Sequence, residues 1–285
     1  MPELPEVESV RRGLVEADLR APVESIYRSR KRLRYSSSPR ALVGARPGAL
    51  DRRGKYIIWS FHGERGEGSG DGERLGLLLH LGMSGRCGVA AADKPRVPHT
   101  HLILTFADGR ELRFVDPRRF GGFEVAPLDE LYARPPIANL GPEPLDPGFS
   151  GELLAARVGA SKRAIRDALL DQHAVAGIGN IYALEALFEA GLHPLVEASR
   201  LRPSAWERLA EALQQVLRRG IDNGGTTLKD FRNVVGAVGR NQDDLRVYGR
   251  AGEPCPTCGR ALKGFVSGGR SGVYCPYDQS RRRVR

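Results

Sequence analysis

The chain has 285 residues, of which 41% are hydrophobic and 27% charged, with a formal net charge of +10 at pH 7. That length suffices for two domains with sizeable cores, and the absence of a run of about 18 apolar residues predicts no membrane span. The acidic start predicts no signal peptide, so we expect a cytoplasmic protein, and its cationic excess favours a polyanionic partner.

The first residues, Met-Pro-Glu-Leu-Pro-Glu-Val-Glu, predict a helix with an unusual start. Pro5 suits the first turn of a helix, after which Val7, Val10 and Leu14 share one face. If the initiator methionine is removed, Pro2 has a free secondary amine, which can attack an electrophilic carbon and form an iminium. Taken alone, the pattern is also that of a capped surface helix with acidic residues in its first turn.

Four short apolar runs have the composition of β-strands. They are Tyr56–Phe61, Leu75–Leu81, His101–Phe106 and Glu111–Val115. Residues 107–109, Ala-Asp-Gly, have the composition of a hairpin turn. This spacing of strands predicts a sandwich or a barrel. Residues 62–74 are rich in glycine and charge, and we expect a solvated hairpin extension without a chemical role.

From about residue 126 prolines accumulate and predict a linker. The runs with helical spacing that follow are residues 152–158, 164–170 and 181–190, and Gly191 is expected to end the last. Ser204 and Glu207 predict a capping box at the start of a helix that runs to Gly220. Residues 221–247, rich in Gly, Asn and Asp, predict a mobile loop.

These changes of composition predict an α+β chain with several domains. The expected divisions are a catalytic β-sandwich with a leading helix at 1–130, a linker at 131–150, a helical domain at 151–246 and a small cysteine module at 247–285.

The cysteine module contains three of the four cysteines. Cys255 and Cys258 form a C-x-x-C pair, whereas Cys275 is followed after two residues by Asp278. Two complete pairs at this spacing would strongly indicate zinc, and four cysteines in a cytoplasmic chain argue against disulfides. Either Asp278 supplies a carboxylate oxygen to one structural zinc, or zinc is weakly held or absent. We favour the site made of three cysteines and Asp278.

Taken in order, the motifs resemble those of the formamidopyrimidine-DNA glycosylase and endonuclease VIII family. MPELPEVE followed by VRRGL is the most specific, and HLGMSG, DPRRFG, DQHAVAGIGNIY and the cysteine module come after it. The set is most similar to the formamidopyrimidine-DNA glycosylase branch. This resemblance implies an N-terminal β-sandwich, a helix–two-turns–helix domain and a C-terminal zinc-finger-like β-hairpin.

The resemblance also implies an activity and a partner. We expect a monomeric, bifunctional DNA glycosylase and abasic-site lyase that acts on damaged double-stranded DNA near the nucleoid. It would excise 8-oxoguanine and formamidopyrimidines and then cut the strand by β- and δ-elimination.

Five residues at matching positions are implied to be catalytic. Pro2 would be the nucleophile and Glu3 a proton shuttle, with Glu6 as a supporting carboxylate. Lys55, in Arg-Arg-Gly-Lys-Tyr, would be a general acid for loss of the base or for β-elimination. Arg270 would hold the phosphates beside the lesion and assist δ-elimination.

Three further side chains are implied to enter the duplex, because a base can be excised only after it leaves the stack. Met83 would fill the irregular gap, Phe120 would wedge between bases, and Arg118 would bond the orphaned partner base. Thr226 and Thr227 are candidates for the pocket that receives the extruded base.

Contacts with the DNA backbone are implied at His80, His99, Arg119, Lys162, Asn180, Tyr248 and Arg270. His99 and His101, in Pro-His-Thr-His, both resemble a phosphate contact, and His99 is the closer match. The glycines before Asn180 allow close approach of the backbone, and a helix start binds phosphate through its amides.

Two other functions stay open. The first is the same chemistry with an endonuclease VIII-like preference for oxidised pyrimidines, against which Met83, Arg118 and Phe120 argue. The second is a DNA-binding relative without catalysis, against which the presence of Pro2, Glu3 and Lys55 argues.

Overall fold

The computed structural model describes residues 2–63, 74–227, 232, 234 and 236–280. The chain divides into two compact units, of which the first comprises Met1–Ala138 with Asn223–Arg240 and the second Asn139–Asp222 with Asn241–Arg285. The predicted fold class is confirmed, because a β-sandwich lies in the first unit and helices with a small β-hairpin lie in the second. No described helix is both long and apolar enough to cross a membrane.

The first unit consists of helix α1 (Leu4–Glu16), two sheets and helix α2 (Leu128–Ala133). Its strands are β1 (Val23–Arg28), β2 (Tyr35–Ser36), β3 (Arg46–Arg53), β4 (Tyr56–His62), β5 (Arg74–His80), β6 (Arg86–Ala91), β7 (Thr100–Phe106), β8 (Arg110–Val115) and β9 (Gly122–Pro127). One sheet is antiparallel with the order β1-β7-β8-β6. The other has the order β2-β9-β5-β4-β3, in which β2 runs parallel to β9 and the remaining pairs are antiparallel.

Helix α1 is fixed on the sandwich by its apolar face. Val7, Val10 and Leu14 are buried in the same core as Trp59 of β4 and Phe106 of β7. Burial of each such side chain contributes roughly 1.5–3 kcal/mol. This packing therefore fixes the first residues of the chain on the sandwich.

The second unit combines helices with a hairpin. Its elements are α3 (Gly151–Val158), α4 (Ile165–Leu169), α5 (Asn180–Glu189), α6 (Pro203–Asp222), β10 (Lys263–Ser267) and β11 (Arg270–Tyr274). Helix α6 packs against α3 and α5, and α5 also packs against β11. A small apolar cluster that includes Phe188 of α5 and Val273 of β11 joins the helices to the hairpin.

The elements predicted from apolar runs are confirmed within one residue at each end. The four predicted strands are β4, β5, β7 and β8, and the three helices that lead to Gly191 are α3, α4 and α5. Gly109 has a φ of +80°, as the predicted turn between β7 and β8 requires, and Gly191 follows the last turn of α5 with a φ of +68°. Strands β1, β2, β3, β6 and β9 were not predicted.

The predicted capping box at the start of α6 is wrong. The helix begins at Pro203, a residue suited to a first helical position, so Ser204 lies inside the helix. The Glu207 carboxylate instead accepts a hydrogen bond from the backbone N–H of Gly151 at 3.1 Å. Glu207 thereby places negative charge at the start of α3, where the helix dipole favours it.

Two predicted segments include residues that are not described. The expected hairpin extension at 62–74 includes residues 64–73, which are not described, and β4 and β5 pair on either side of them. Of the loop expected at 221–247, residues 228–231, 233 and 235 are not described, and α6 continues to Asp222.

Candidate active site

The start of α1 is built around the carboxylate of Glu6. Pro2, Glu3 and Glu6 are all buried. One Glu6 oxygen accepts a hydrogen bond from the backbone N–H of Glu3 at 2.8 Å, and the other accepts one from the backbone N–H of Thr226 at 2.7 Å. Glu6 therefore holds the residue next to Pro2 and the candidate lesion-pocket residue Thr226 with a single side chain.

Lys55 lies at the tip of the β3–β4 hairpin. Arg53 pairs with Tyr56, so the loop has only the residues Gly54 and Lys55, and Gly54 has a φ of +55°. A glycine at the first position of a two-residue hairpin loop is what a type II′ turn requires. Lys55 is 7% exposed. The turn fixes the backbone that bears this lysine.

An ion-pair network ties the Lys55 turn to α1. Arg52 lies 3.2 Å from the Glu8 carboxylate and donates a hydrogen bond to the carbonyl oxygen of Gly54 at 3.1 Å. Glu8 also pairs with Arg11 at 2.7 Å and with Arg12 at 3.1 Å. Burial alone would raise the pKa of Glu8, but hydrogen bonds and charges from these arginines lower it overall. Glu8 is thus a structural anion that joins the helix to the hairpin.

His80, predicted to contact DNA, is buried at the end of β5. Its ring packs against Tyr56 and Tyr35, with centroid distances of 4.7 and 5.8 Å, and its Nδ1 accepts a hydrogen bond from the backbone N–H of Gly82 at 3.2 Å. Burial lowers the pKa of His80 to about 4, and the positive charges of Arg34 and Lys55 add to that effect. The neutral ring supports the turn that carries Met83.

The three predicted void-filling side chains are exposed on two adjoining loops. Met83 and Phe120 are 38% and 47% exposed, which is high for large apolar side chains. The Arg118 guanidinium lies 5.1 Å from the centre of the Phe120 ring, within cation–π distance. The loops touch at a glycine, because a Cβ on Gly82 would lie 2.3 Å from the backbone nitrogen of Gly121.

The structure distinguishes the two histidines of the Pro-His-Thr-His motif. His101 is buried, with Nδ1 bonded to the Ser29 hydroxyl at 2.8 Å and Nε2 to the carbonyl oxygen of Asp116 at 3.0 Å. Since a carbonyl only accepts, Nε2 has the proton. His99 is exposed and has a φ of +63°, and Arg119 on the neighbouring loop is exposed with a φ of +58°.

The segment that contains Thr226 and Thr227 belongs to the first unit. Thr226 is buried, and the Thr227 hydroxyl accepts a hydrogen bond from the backbone N–H of Gly239 at 2.9 Å. Val234 is buried in the sandwich core, where a Cβ on Gly13 of α1 would lie 3.1 Å from it. The segment is therefore docked on α1 at Glu6 and near Gly13.

In the second unit, a tight turn precedes α5. The Gln172 side chain donates a hydrogen bond to the carbonyl oxygen of Ile178 at 2.8 Å and accepts one from the N–H of Gly177, whose φ is +80°. Asn180 is the first residue of α5, and its amide donates to the carbonyl oxygen of Ser271 at 2.9 Å. The turn leads into a helix start of the type that binds phosphate. Lys162 is exposed before α4.

Arg270 is exposed beside the two-residue turn of the β10–β11 hairpin. Gly268 and Gly269 have φ values of +53° and +70°, as a type I′ turn requires. Two residues of α4 hold this turn. Arg166, fully buried, donates to the carbonyl oxygen of Ser267 at 2.8 Å, and the Ser267 hydroxyl donates to the Asp167 carboxylate at 2.6 Å.

Tyr248, half-buried, is positioned by a residue that the sequence analysis missed. The carboxylate of Glu185 on α5 is 2% exposed and accepts hydrogen bonds from three consecutive backbone N–H groups. They belong to Arg246, Val247 and Tyr248, at 2.9, 3.0 and 2.8 Å. A single glutamate inside the apolar run from Ile181 to Phe188 was the available signal, because a carboxylate there needs donors.

The four predicted zinc ligands come together. Their ligand atoms, from Cys255, Cys258, Cys275 and Asp278, all lie within 4.8 Å of one another. An Asp278 oxygen lies 3.2 and 3.1 Å from the sulfurs of Cys255 and Cys275. Tetrahedral zinc, with Zn–S bonds of about 2.3 Å, holds its ligand atoms about 3.5–3.8 Å apart. The cluster is compatible with one structural zinc that has Asp278 as its fourth ligand.

Three family models match the chain in order. They are the formamidopyrimidine-DNA glycosylase N-terminal domain at residues 1–123, the formamidopyrimidine-DNA glycosylase H2TH domain at residues 140–232, and a zinc finger found in FPG and IleRS at residues 252–281. Curated relatives match over nearly the full length. The chain is 43% identical to the formamidopyrimidine-DNA glycosylase of Stenotrophomonas maltophilia and 40% identical to that of Geobacillus kaustophilus, with 98% of this chain and 100% of each relative covered.

Solved structures of similar proteins include complexes with damaged DNA. A Lactococcus lactis FPG mutant bound to Fapy-dG containing DNA has a TM-score of 0.87 and 32% identity, covering 98% of this chain and 100% of that one. The wild-type L. lactis protein bound to oxidised pyrimidine containing DNA gives 0.86, with the same identity and coverage. The MutM (FPG) protein from Thermus thermophilus gives 0.84 at 37% identity, covering 98% of each chain.

Proposed function

The chain belongs to the formamidopyrimidine-DNA glycosylase family, and we propose that it excises oxidised purines from duplex DNA and cuts the strand at the resulting abasic site. The observation that carries the proposal is the construction of α1. Pro2 and Glu3 are buried at its start, and Arg52 ties the Lys55 turn to Glu8 in the same helix. The enzyme acts as a monomer, in the cytoplasm at the nucleoid.

The first step is attack by the Pro2 nitrogen on C1′ of the extruded nucleotide. A bond forms between N and C1′, the bond between C1′ and the base breaks, and the base leaves with the electron pair and takes up a proton. Lys55 acts as the general acid. Glu3 accepts the proton from the Pro2 nitrogen and returns it to O4′ as the sugar ring opens, which leaves an iminium.

Strand cleavage follows from that iminium. The positive nitrogen makes the proton on C2′ acidic, and its loss expels the 3′ phosphate in β-elimination. Loss of the proton on C4′ then expels the 5′ phosphate in δ-elimination. Arg270 binds the phosphates beside the lesion and assists this second elimination, as a guanidinium suits a bidentate phosphate contact.

Glu6 has a supporting role. Both of its oxygens accept backbone N–H groups, from Glu3 and Thr226, so it is already used as an acceptor at both ends. We assign it the positioning of the nucleophile relative to the lesion pocket, in which Thr226 and Thr227 contact the extruded base.

The remaining site residues bind DNA. Met83 and Phe120 fill the space left by the base, and Arg118 reads the base opposite. The backbone contacts are made by His99, Arg119, Lys162, Asn180 and Tyr248, with His80 supporting the Met83 turn from below. Zinc bound by Cys255, Cys258, Cys275 and Asp278 would supply folding energy to the hairpin that bears Arg270 and takes no part in the chemistry.

A broader substrate range is the second candidate. The L. lactis relative crystallised with DNA that contains an oxidised pyrimidine, which favours some acceptance of such lesions in the family. Matched duplexes with 8-oxoguanine, a formamidopyrimidine or an oxidised pyrimidine separate the two candidates by single-turnover rates. We expect both purine lesions to be excised faster than the oxidised pyrimidine. Faster excision of the oxidised pyrimidine than of either purine lesion would contradict the proposal.

Two duplexes that carry 8-oxoguanine opposite cytosine or opposite adenine test the role of Arg118. Cytosine opposite the lesion offers two acceptors to a guanidinium, which has only donors, whereas adenine presents a donor. An unpaired polar group in a desolvated gap costs about 1–3 kcal/mol, or roughly ten- to a hundredfold in rate. Arg118→Ala should lose most of the preference for 8-oxoguanine opposite cytosine over adenine. Phe120→Ala should slow excision against both partners alike, and an unchanged preference in Arg118→Ala would place the reading of the opposite base elsewhere.

A further inference from the structure

The carboxylate of Asp116 is fully buried between the two loops that carry Met83, Arg118 and Phe120. One oxygen accepts a hydrogen bond from the Ser84 hydroxyl at 2.6 Å and a longer one from the backbone N–H of Arg118 at 3.3 Å. The other accepts the backbone N–H of Gly121 at 2.8 Å. Ser84 directly follows Met83, so this one carboxylate is bonded to both loops.

The backbone of Asp116 extends the connection to a third segment. Its N–H donates to the carbonyl oxygen of His99 at 3.0 Å, and its own carbonyl oxygen accepts Nε2–H of His101 at 3.0 Å. His99 is the proposed phosphate contact. Asp116 is therefore bonded to the loop of Met83, to the loop of Arg118 and Phe120, and to the segment that contains His99.

Burial makes these bonds interdependent. A carboxylate removed from water is costly unless donors surround it, and here the donors come from two loops that are far apart in sequence. If the Met83 loop moved away alone, the buried Asp116 carboxylate would lose its shortest hydrogen bond, the one from Ser84. The close approach of Gly82 to Gly121, where not even a Cβ fits, leaves little room for independent movement.

We propose that Asp116 is a positioning residue that makes Met83 and the Arg118–Phe120 pair act as one unit, so that filling the void and reading the opposite base are energetically coupled. This inference rests on the proposed function. Asp116 touches neither the lesion nor the sugar; it acts through the loops. Its removal should therefore affect selectivity more than the chemistry at Pro2.

The test is Asp116→Asn, which keeps the shape but replaces one accepting oxygen by a donor that faces another donor. We expect the ratio of 8-oxoguanine excision opposite cytosine to that opposite adenine to fall about tenfold or more. Borohydride trapping on a preformed abasic site should stay within about twofold of wild type. Ser84→Ala removes the hydroxyl's bond to Asp116 and also the bond that this hydroxyl accepts from the backbone N–H of Arg118 at 3.2 Å, and it leaves the two N–H bonds to the carboxylate. It should therefore give an intermediate loss. Asp108→Asn, in the exposed β7–β8 turn, is the matched control and should leave both readouts unchanged.

A mutant cycle separates coupling from simple support. In the wild-type background, Met83→Ala and Arg118→Ala should affect excision non-additively, and in the Asp116→Asn background their effects should multiply within about twofold. The inference would be overturned if a folded Asp116→Asn protein kept the full preference for 8-oxoguanine opposite cytosine over adenine. It would also be overturned if this preference and the trapping on an abasic site fell by the same factor. Failure of the wild-type protein to trap abasic DNA would instead refute the proposed function. If Asp116→Asn does not fold, Ser84→Ala and the cycle built on it decide.

Discussion

Three buried carboxylates, Glu6, Asp116 and Glu185, each accept backbone N–H groups from a loop that we assign to DNA or lesion binding. A carboxylate has only acceptors, and two or three N–H donors compensate its burial while they fix a loop without using that loop's side chains. The carboxylates thus hold the loops through their backbone, and the side chains of the loops stay available for the ligand.

Sequence alone could not assign these roles. The residue types that carry the chemistry were predictable from the motifs, but the anchors depend on partners far along the chain. Glu6 bonds a residue 220 positions away, and Glu185 bonds one 62 positions away. No local periodicity encodes such a pairing.

His80 gives a prediction about pH. Because burial lowers its pKa from 6.5 to about 4 in the folded protein, the unfolded state binds more protons between these two values. The contribution of neutral His80 to the free energy of unfolding is therefore fully present above about pH 6.5. It falls as the pH drops toward 4, by at most about 3 kcal/mol for the whole shift. His80→Asn keeps an acceptor for the N–H of Gly82 but does not titrate.

Urea unfolding of the two proteins at several pH values from 7.5 to 4.5 measures this contribution. We expect the wild-type protein to lose more unfolding free energy than His80→Asn over that range, since their other titrating groups are shared. Parallel pH profiles would show that His80 is not held neutral by the fold.

At the scale of elements, two hairpins position the cationic residues. Two-residue turns, each containing glycine at positive φ, place Lys55 within the first loop and Arg270 beside the second. Strands β4 and β5 were predictable because burial on both faces leaves a nearly continuous apolar run in each. Strand β3 was not, because Pro47 and Gly48 interrupt its pattern; such residues are tolerated at the sheet edge where it lies.

The zinc cluster gives a prediction for the hairpin as an element. We expect about one zinc per chain, because the four ligand atoms already lie within 4.8 Å of one another. Asp278→Cys should retain or tighten the metal, since thiolate is a good zinc ligand, and Asp278→Ala should loosen it. Metal loss should destabilise the hairpin and weaken DNA binding through Arg270.

Metal analysis, with binding to an abasic-analogue duplex, measures both effects. Asp146→Ala, at an exposed aspartate outside the module, is the control and should change neither. Full DNA affinity in a zinc-free Asp278→Ala protein would show that packing alone maintains the hairpin.

At the scale of the whole molecule, the net charge and the order of the motifs predicted a DNA-binding repair enzyme, and the family match confirms it. The segment Asn223–Arg240 belongs to the same compact unit as the sandwich, although it follows the helical domain in sequence. The hydrogen bond from the backbone N–H of Thr226 to Glu6 and the burial of Val234 in the sandwich core are the physical reason. The predicted domain boundaries, drawn from composition along the chain, stay a prediction.

The Pro2 nitrogen is the proposed nucleophile. The most direct test of this role is borohydride trapping of the purified protein on an abasic duplex, followed by mass spectrometry of the intact protein and of the crosslinked peptide. We predict a mature chain that starts at Pro2 and a reduced crosslink on its nitrogen, while a matched protein with one residue kept before Pro2 should not trap. A crosslink on Lys55, or full activity with the Pro2 nitrogen in an amide bond, would show that Pro2 is not the nucleophile.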